Sequence, residues 1–189
     1  MKYLVTINIP FAYGDGGIPH TDPLWAKDIE HHARCVSELQ IAAPLETGPP
    51  RPEWVPVHRV DGVRMVDFVP VPAHDSLLSA WLDRGRIAAA LAPAIAAADV
   101  VQTNVAGWPL PLGWVAGPRA RALGKPTVVV VESAPWRGAK GIRKAKSLIF
   151  EHMARREVRA AQIAFFTHAS YRDELIDRAR GRPRSRSSR

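Results

Sequence analysis

Cysteine is nearly absent from this sequence, and its scarcity limits how the chain can be held together. Cys35 is the only cysteine among 189 residues, so no disulfide can form within the chain. It falls inside a helical pattern, where we expect a buried thiol. Apolar runs of about 18 residues and a secretory leader are also missing. These absences predict a cytoplasmic protein that does not span a membrane.

Motifs of several enzyme classes are missing as well. There is no metal-binding Cys/His spacing, no phosphate-binding G-x-x-x-x-G-K-[ST] and no G-x-S-x-G nucleophile turn. His31 and His32 are neighbours on a predicted helix and point roughly 100° apart, so they cannot ligate one ion as an i, i+4 pair can. The sequence therefore predicts no bound metal and no cofactor.

Acidic residues are absent from the last ten positions, "RGRPRSRSSR", which hold five arginines. The formal net charge of the chain is +8, and this short segment supplies five of those charges. We predict an ordered domain over residues 1–179 and a basic, disordered tail over residues 180–189. Nucleic-acid binding through the tail is an alternative that the mildly basic body does not favour.

What is present alternates between short apolar runs and helical patterns. The strand-like runs are Tyr3–Ile7, Leu39–Ala43, Asp99–Thr103, Thr127–Val131 and Gln162–Thr167. Continuous apolar runs suit strands that are buried on both faces of a parallel sheet. Helical patterns follow Asp22 and cover about residues 76–97, interrupted by Gly85 and kinked or divided near Pro93, and about residues 110–123, 141–160 and 170–179.

One segment breaks the alternation. Residues 55–60 and 63–69 flank Asp61-Gly62, a strong hairpin turn signal. The whole pattern predicts a Rossmann-like, doubly wound α/β domain, with a mainly parallel sheet, helices on both faces and a small β-hairpin insertion. Ligands of such domains bind beyond the carboxyl ends of the strands.

The loop "FAYGDGGIPHT" follows the first predicted strand. Gly14, Asp15, Gly16 and Gly17 can expose backbone N–H groups that bind an anion, with the next helix aiming its positive end at the same place. The alternative is a turn without a ligand. His20 lies in the same loop and is a candidate ligand contact.

Two polar and aromatic side chains follow the strand that ends near Thr103. Asn104 and Trp108 lie in "TNVAGWPLPLGW". An amide at a strand end beside an indole suits a sugar, because the ring stacks on the apolar sugar face while the amide bonds hydroxyl groups. The alternative is that the tryptophan packs a helix against the sheet.

A carboxylate stands where the next strand ends. Glu132 closes "VVVVE" and is followed by Ser133, Trp136 and Arg137. A carboxylate at the end of a buried strand is costly unless it is paired or faces a ligand. The alternative is a salt bridge or helix cap that holds the loop.

Basic residues dominate residues 137–159, which contain five arginines and three lysines among a helical pattern. A solvated face is the usual interpretation of such a pattern. Peripheral contact with an anionic membrane, or with a partner domain, is the alternative.

Taken together, four segments resemble the N-terminal domain of a GT-B glycosyltransferase of the family 4 type. They are "KDIEHHARC", "DVVQTNVAGWPLPLGW", "VVVVESAPWR" and "AAQIAFFTHASYRDEL", and the resemblance covers about residues 2–178. It implies an enzyme of two Rossmann-like domains facing a cleft, of which the first binds the acceptor and the second grips a nucleotide-sugar donor. It also implies retention of anomeric configuration without a metal.

The resemblance assigns roles and shows two departures. It places the loop from Gly14 to Gly17 beside the donor diphosphate. Many relatives carry a histidine where this chain has Glu132, so an acceptor-orienting or acid/base role for Glu132 is a hypothesis. Family members are about twice as long, so we expect a chain truncated or shifted out of frame near residue 179, lacking its second domain and inactive alone. A non-catalytic nucleotide- or sugar-binding module is the alternative.

Overall fold

The computed structural model describes residues 1–57, 65–135, 137 and 143–176. Its strands are β1 (Lys2–Thr6), β2 (Ala12–Tyr13), β3 (Pro19–Thr21), β4 (Glu38–Leu45), β5 (Val55–Pro56), β6 (Met65–Pro72), β7 (Val100–Asn104), β8 (Thr127–Val131) and β9 (Ile163–Phe166). Its helices are α1 (Pro23–Cys35), α2 (Leu77–Leu82), α3 (Arg84–Ala97), α4 (Gly113–Ala122), α5 (Arg143–Ala160) and α6 (Ala169–Ile176).

Six parallel strands form the central sheet in the order β6-β4-β1-β7-β8-β9. From β1 the chain adds β4 and then β6 on one side of the sheet, and from β7 it adds β8 and then β9 on the other side. The direction of strand addition therefore reverses between β1 and β7. This is the doubly wound arrangement, and the predicted fold class is confirmed. A second, antiparallel sheet joins β2, β3 and β5.

The apolar runs form strands because both sheet faces are covered. Leu4 and Val5 are adjacent in β1 and point to opposite faces, yet each is almost fully buried. Leu4 packs in the cluster that includes α3 and α4, whereas Val5 packs with α1. Two-sided burial therefore explains why these runs are continuously apolar rather than alternating.

The predicted pairing of residues 55–60 with residues 63–69 around Asp61-Gly62 is wrong for the residues that the structure describes. The turn lies outside the described residues, and the two arms belong to different sheets. β5 pairs with β3, whereas β6 runs parallel to β4 along eight residues at the sheet edge. Parallel pairing lets Phe68 and Val71 enter the cores on opposite faces of the sheet, more burial than an isolated two-stranded ribbon offers.

Two further local expectations differ from the structure. The helical region over residues 76–97 is interrupted at Asp83, close to the predicted Gly85, but it does not divide at Pro93, because α3 continues through that residue. Ser76 begins α2 by accepting a hydrogen bond from the Ser79 N–H at 3.1 Å. Cys35 is exposed rather than buried, because it is the last residue of α1.

A buried ion pair joins α4 to α5. Glu157 is completely buried, and Arg121 donates two hydrogen bonds to it, at 2.8 and 3.2 Å. Gly117 leaves the space for this carboxylate, because a Cβ there would lie well inside van der Waals contact with Glu157. Within the residues that the structure describes, no helix is long and apolar enough to cross a membrane.

Candidate functional site

The side chain of Asn8 anchors the loop that follows β7. Asn8 lies two residues beyond β1, at the point where the strand order reverses. Its amide donates to the carbonyl of Leu110 at 2.7 Å and its side-chain oxygen accepts from the N–H of Leu112 at 3.0 Å. Gly107 has a φ of 138°, and a Cβ there would lie 2.5 Å from the Asn8 side chain. Asn8 thus fixes the loop across the mouth of the sheet.

An open cleft of about 940 Å³ lies beside this loop, at the carboxyl ends of β1, β4 and β6. Trp108 lies at its rim, and its polar lining comes from Asn8, Glu46, Thr47, His74, Asp75 and Arg86. The rest of the lining is largely proline and alanine. Clefts at this position of doubly wound domains are the usual ligand sites, and a few converging polar groups on an apolar lining are their typical composition.

His74, Asp83 and Arg86 form a polar cluster at one wall of the cleft. The Oδ2 atom of Asp83 lies 3.5 Å from Nε2 of His74 and accepts a hydrogen bond from Nη1 of Arg86 at 3.1 Å. The His74 side chain is only 12% exposed, and its Nε2 makes no hydrogen bond within the described part of the chain. That nitrogen is itself buried and faces Asp83, so the ring rather than its Nε2 borders the cleft, where Arg86 adds a positive charge.

The glycine loop forms the tip of the β2–β3 hairpin rather than following β1 directly. Gly14 donates to the carbonyl of Ile18 at 2.8 Å, and Gly17 donates to that of Gly14 at 3.1 Å. Gly16 and Gly17 have positive φ angles of 69° and 72°, and glycine adopts that region without strain. The turn thus uses two of its own N–H groups, which leaves fewer for an anion.

Neighbours of the glycine loop have structural contacts. His20 lies in β3, and its Nδ1 is 3.0 Å from the carbonyl oxygen of Ile18. A Cβ on Gly14 would lie 2.5 Å from the same imidazole ring, so the ring packs directly against this glycine. Asp22 begins α1 and accepts from the Leu24 N–H at 2.9 Å, which places a carboxylate at the helix end that was expected to attract an anion.

Asn104 and Trp108 occupy different surroundings. Trp108 lines the cleft, and the Lys146 ammonium lies 3.6 Å from the centre of its ring, a cation–π contact. Asn104 ends β7 but does not line the cleft. Its Oδ1 is buried and has no hydrogen-bond partner among the residues described.

Glu132 lies on the other side of the site, towards α1. Burial raises its pKa above the ordinary value of 4.5; Asp28 raises the pKa further and His32 lowers it. The carboxylate does not line the cleft. A strand-end carboxylate is thus present as predicted, while its role stays a prediction.

The residues after Glu132 separate into three cases. Ser133 is exposed. Trp136 lies outside the described residues. Arg137 is held against α6: it donates to Glu174 at 3.1 Å and to Ser170 at 2.7 Å, with its guanidinium 4.7 Å from the Tyr171 ring centre. These contacts bind the Arg137 side chain to α6, and none of them involves Glu132.

No protein-family model and no curated protein matches the chain. The resemblance to glycosyltransferases therefore depends on the four quoted segments alone. Among the described residues, no cluster of three or more histidine, cysteine or acidic side chains could hold a metal ion.

The sequence does not predict the polar cluster at the cleft, in which His74 and Arg86 line the cleft and Asp83 joins them. These three residues follow no recognised spacing, and they come after β6, which the turn signal predicts as a hairpin arm. The signal that could have found them was topological. Had residues 65–72 been read as a parallel strand, the loop after that strand would have joined the candidate positions.

Proposed function

We propose that the chain is the acceptor-side N-terminal domain of a GT-B glycosyltransferase of the family 4 type. Such an enzyme moves a sugar from a nucleotide-sugar donor to an acceptor, and the donor would bind to a second domain across the cleft. The observation that supports this most directly is the cleft of about 940 Å³ at the carboxyl ends of β1, β4 and β6. Its size suits a sugar-sized ligand, and its lining combines an indole with hydroxyl-binding groups.

Within this proposal the acceptor sugar enters the cleft. His74 and Arg86 line the cleft and contact the acceptor, and Asp83 lies against both side chains and holds them in place. Trp108 presents an exposed indole at the rim, where a sugar ring can stack. The acceptor oxygen then bonds to the anomeric carbon as the bond to the diphosphate breaks, and the hydroxyl proton leaves with the departing diphosphate or a nearby base. The geometry favours His74 over Glu132 for orienting the acceptor.

Binding by this chain tests the proposal. Soluble mono- and disaccharides and a panel of UDP- and GDP-linked hexoses would be titrated by calorimetry and by saturation-transfer NMR. We expect at least one acceptor sugar to bind, and His74→Gln to weaken that binding about tenfold, the value of one hydrogen bond. Arg86→Gln, the other charged change in the cleft lining, should also weaken sugar binding. Arg34→Gln is its matched control, since Arg34 is exposed on α1, away from the cleft lining.

Other outcomes would point elsewhere. Saturable binding of a nucleotide sugar without any acceptor sugar would favour the non-catalytic binding module. Absence of both kinds of binding, in a chain shown to be folded by circular dichroism, would contradict the proposal. The transfer step itself is assayed on the complete gene product, as movement of label from a nucleotide sugar to the sugar that binds.

A further inference from the structure

Large apolar side chains are concentrated on the outside of α2. Leu78 is 67% exposed, Trp81 49% and Leu82 72%, although the helix has only six residues. Of its side chains only Ala80 is fully buried. Single exposed apolar residues are ordinary. Three on one short helix form an apolar patch of the kind that binds a protein partner or a membrane.

An apolar groove of about 400 Å³ continues this patch between α3, α4 and α5. Its apolar lining includes Trp81 from α2, Trp114, Val115 and Pro118 from α4, and Met153 from α5. Ile149 is 53% exposed and lies one helical turn from Met153 on α5, so it extends the apolar surface. The patch and the groove thus form one surface, which we call the α2–α5 surface.

The charges around the α2–α5 surface are positive. Neither α3 nor α4 contains an acidic residue, and the two in α5, Glu151 and Glu157, are bonded to arginines. Arg84 and Arg156 line the groove. Arg156 has no hydrogen bond or ion pair with any residue that the structure describes.

Arg84 is held in a position that suits a water–apolar boundary. Its guanidinium lies 5.0 Å from the centre of the Trp81 ring and donates to the Trp81 carbonyl at 3.0 Å. The Trp81 ring and the Arg84 guanidinium thus lie together in the lining of the apolar groove. Arginine stems and tryptophan rings take up this arrangement at the level of lipid head groups.

We propose that the α2–α5 surface docks on an anionic lipid membrane. Leu78, Trp81 and Leu82 insert at the boundary between head groups and acyl chains, and Arg84 and Arg156 contact lipid phosphates. The excess of unneutralised cations around an apolar patch is what favours a membrane over a neutral protein partner. The sequence offers membrane contact only as an alternative for the basic residues 137–159, whereas this proposal centres the contact on α2. It stands independently of the proposed glycosyltransferase activity.

Vesicle flotation tests the proposal on the whole chain. We expect binding to vesicles of phosphatidylcholine mixed with phosphatidylglycerol, and much weaker binding to phosphatidylcholine alone. Leu78→Ser with Leu82→Ser should lower the partition coefficient at least about tenfold. The matched control is Ile163→Ser with Phe165→Ser, because these side chains are 51% and 59% exposed on the opposite face of the sheet.

The cationic part is tested separately. Arg84→Gln with Arg156→Gln should weaken binding to the mixed vesicles and leave the weak binding to phosphatidylcholine unchanged, with Arg34→Gln as control. Insertion should also shift tryptophan emission to shorter wavelength. Six tryptophans contribute to that signal, so the shift assigned to this surface is the part lost in Trp81→Phe.

Three results would overturn the proposal. One is no binding to mixed vesicles at low ionic strength. Another is vesicle binding that is unchanged in the Leu78→Ser/Leu82→Ser variant, because such binding would depend on charge alone, for example on the arginines of residues 180–189. The third is a dimer that the same change dissociates in the absence of vesicle binding, which would make the surface a protein interface.

Discussion

The buried pair between Arg121 and Glu157 allows the sharpest test of how the helices are held together. Arg121→Leu removes both hydrogen bonds to a carboxylate that is completely buried, while the arginine itself is 23% exposed. The remaining carboxylate would have no compensating charge, and removing one member of such a pair costs about 3–5 kcal/mol. For a domain of this size we expect the melting temperature to fall by roughly 6–20 °C.

Urea denaturation followed by circular dichroism measures this loss as a free energy of unfolding. Arg119→Leu is the matched control, because Arg119 is exposed on the same helix, and its effect should stay within about 0.5 kcal/mol. The double variant Arg121→Leu/Glu157→Leu should recover part of the loss, since it no longer buries an unpaired charge. A cost below about 1 kcal/mol for Arg121→Leu would refute the reasoning, because it would mean that the carboxylate finds water or another partner.

Three other predictions follow from the site and its surroundings. Gly113→Ala would place a Cβ well inside contact with the Asn104 carbonyl, so it should lower the free energy of unfolding by about 2 kcal/mol or more, whereas Gly85→Ala, with open space around it, should be neutral or stabilising. Asn8→Ala removes two hydrogen bonds and should cost about 1–3 kcal/mol in denaturation, with faster amide exchange in the loop after β7; unchanged exchange would count against an anchoring role. The pKa of Glu132 is raised, so its folded form binds a proton more readily than its unfolded form, and stability falls as pH rises from the unfolded pKa through the folded one. Glu132→Gln should therefore melt higher than the wild type at pH 7, with the difference shrinking towards pH 4; a constant difference would argue against the pKa shift.

Much of the fold follows from burial patterns that a sequence carries locally. The runs that became β1, β4, β7 and β8 were predictable because burial on both faces of the sheet favours apolar side chains. The strand β9 was predictable from its apolar run, although Ile163 and Phe165 on one of its faces are exposed. β6 was not, because Asp61-Gly62 is a strong local turn signal and the parallel partner of β6 lies about 27 residues earlier along the chain. Pairing over that distance has no local signature.

The candidate site shows the same division. The position of Trp108 in the cleft lining was predictable because this residue follows a strand end. Arg137 was not separable from a structural arginine, since the contacts with Ser170 and Glu174 that occupy it come from a helix more than 30 residues away. His74 and Arg86 gain significance only once α3 is placed against the ends of β4 and β6.

The first half of α3 is a partition one helix thick between the two cavities. Gly85 and Ala88 face the groove, whereas Ala89 and Ala90 face the cleft. Since all four side chains are small, a bulkier residue can be introduced from either side. Ala89→Leu would obstruct the cleft alone and Ala88→Leu would fill the groove alone, so the proposed sugar binding can be blocked in a molecule whose α2–α5 surface is unchanged.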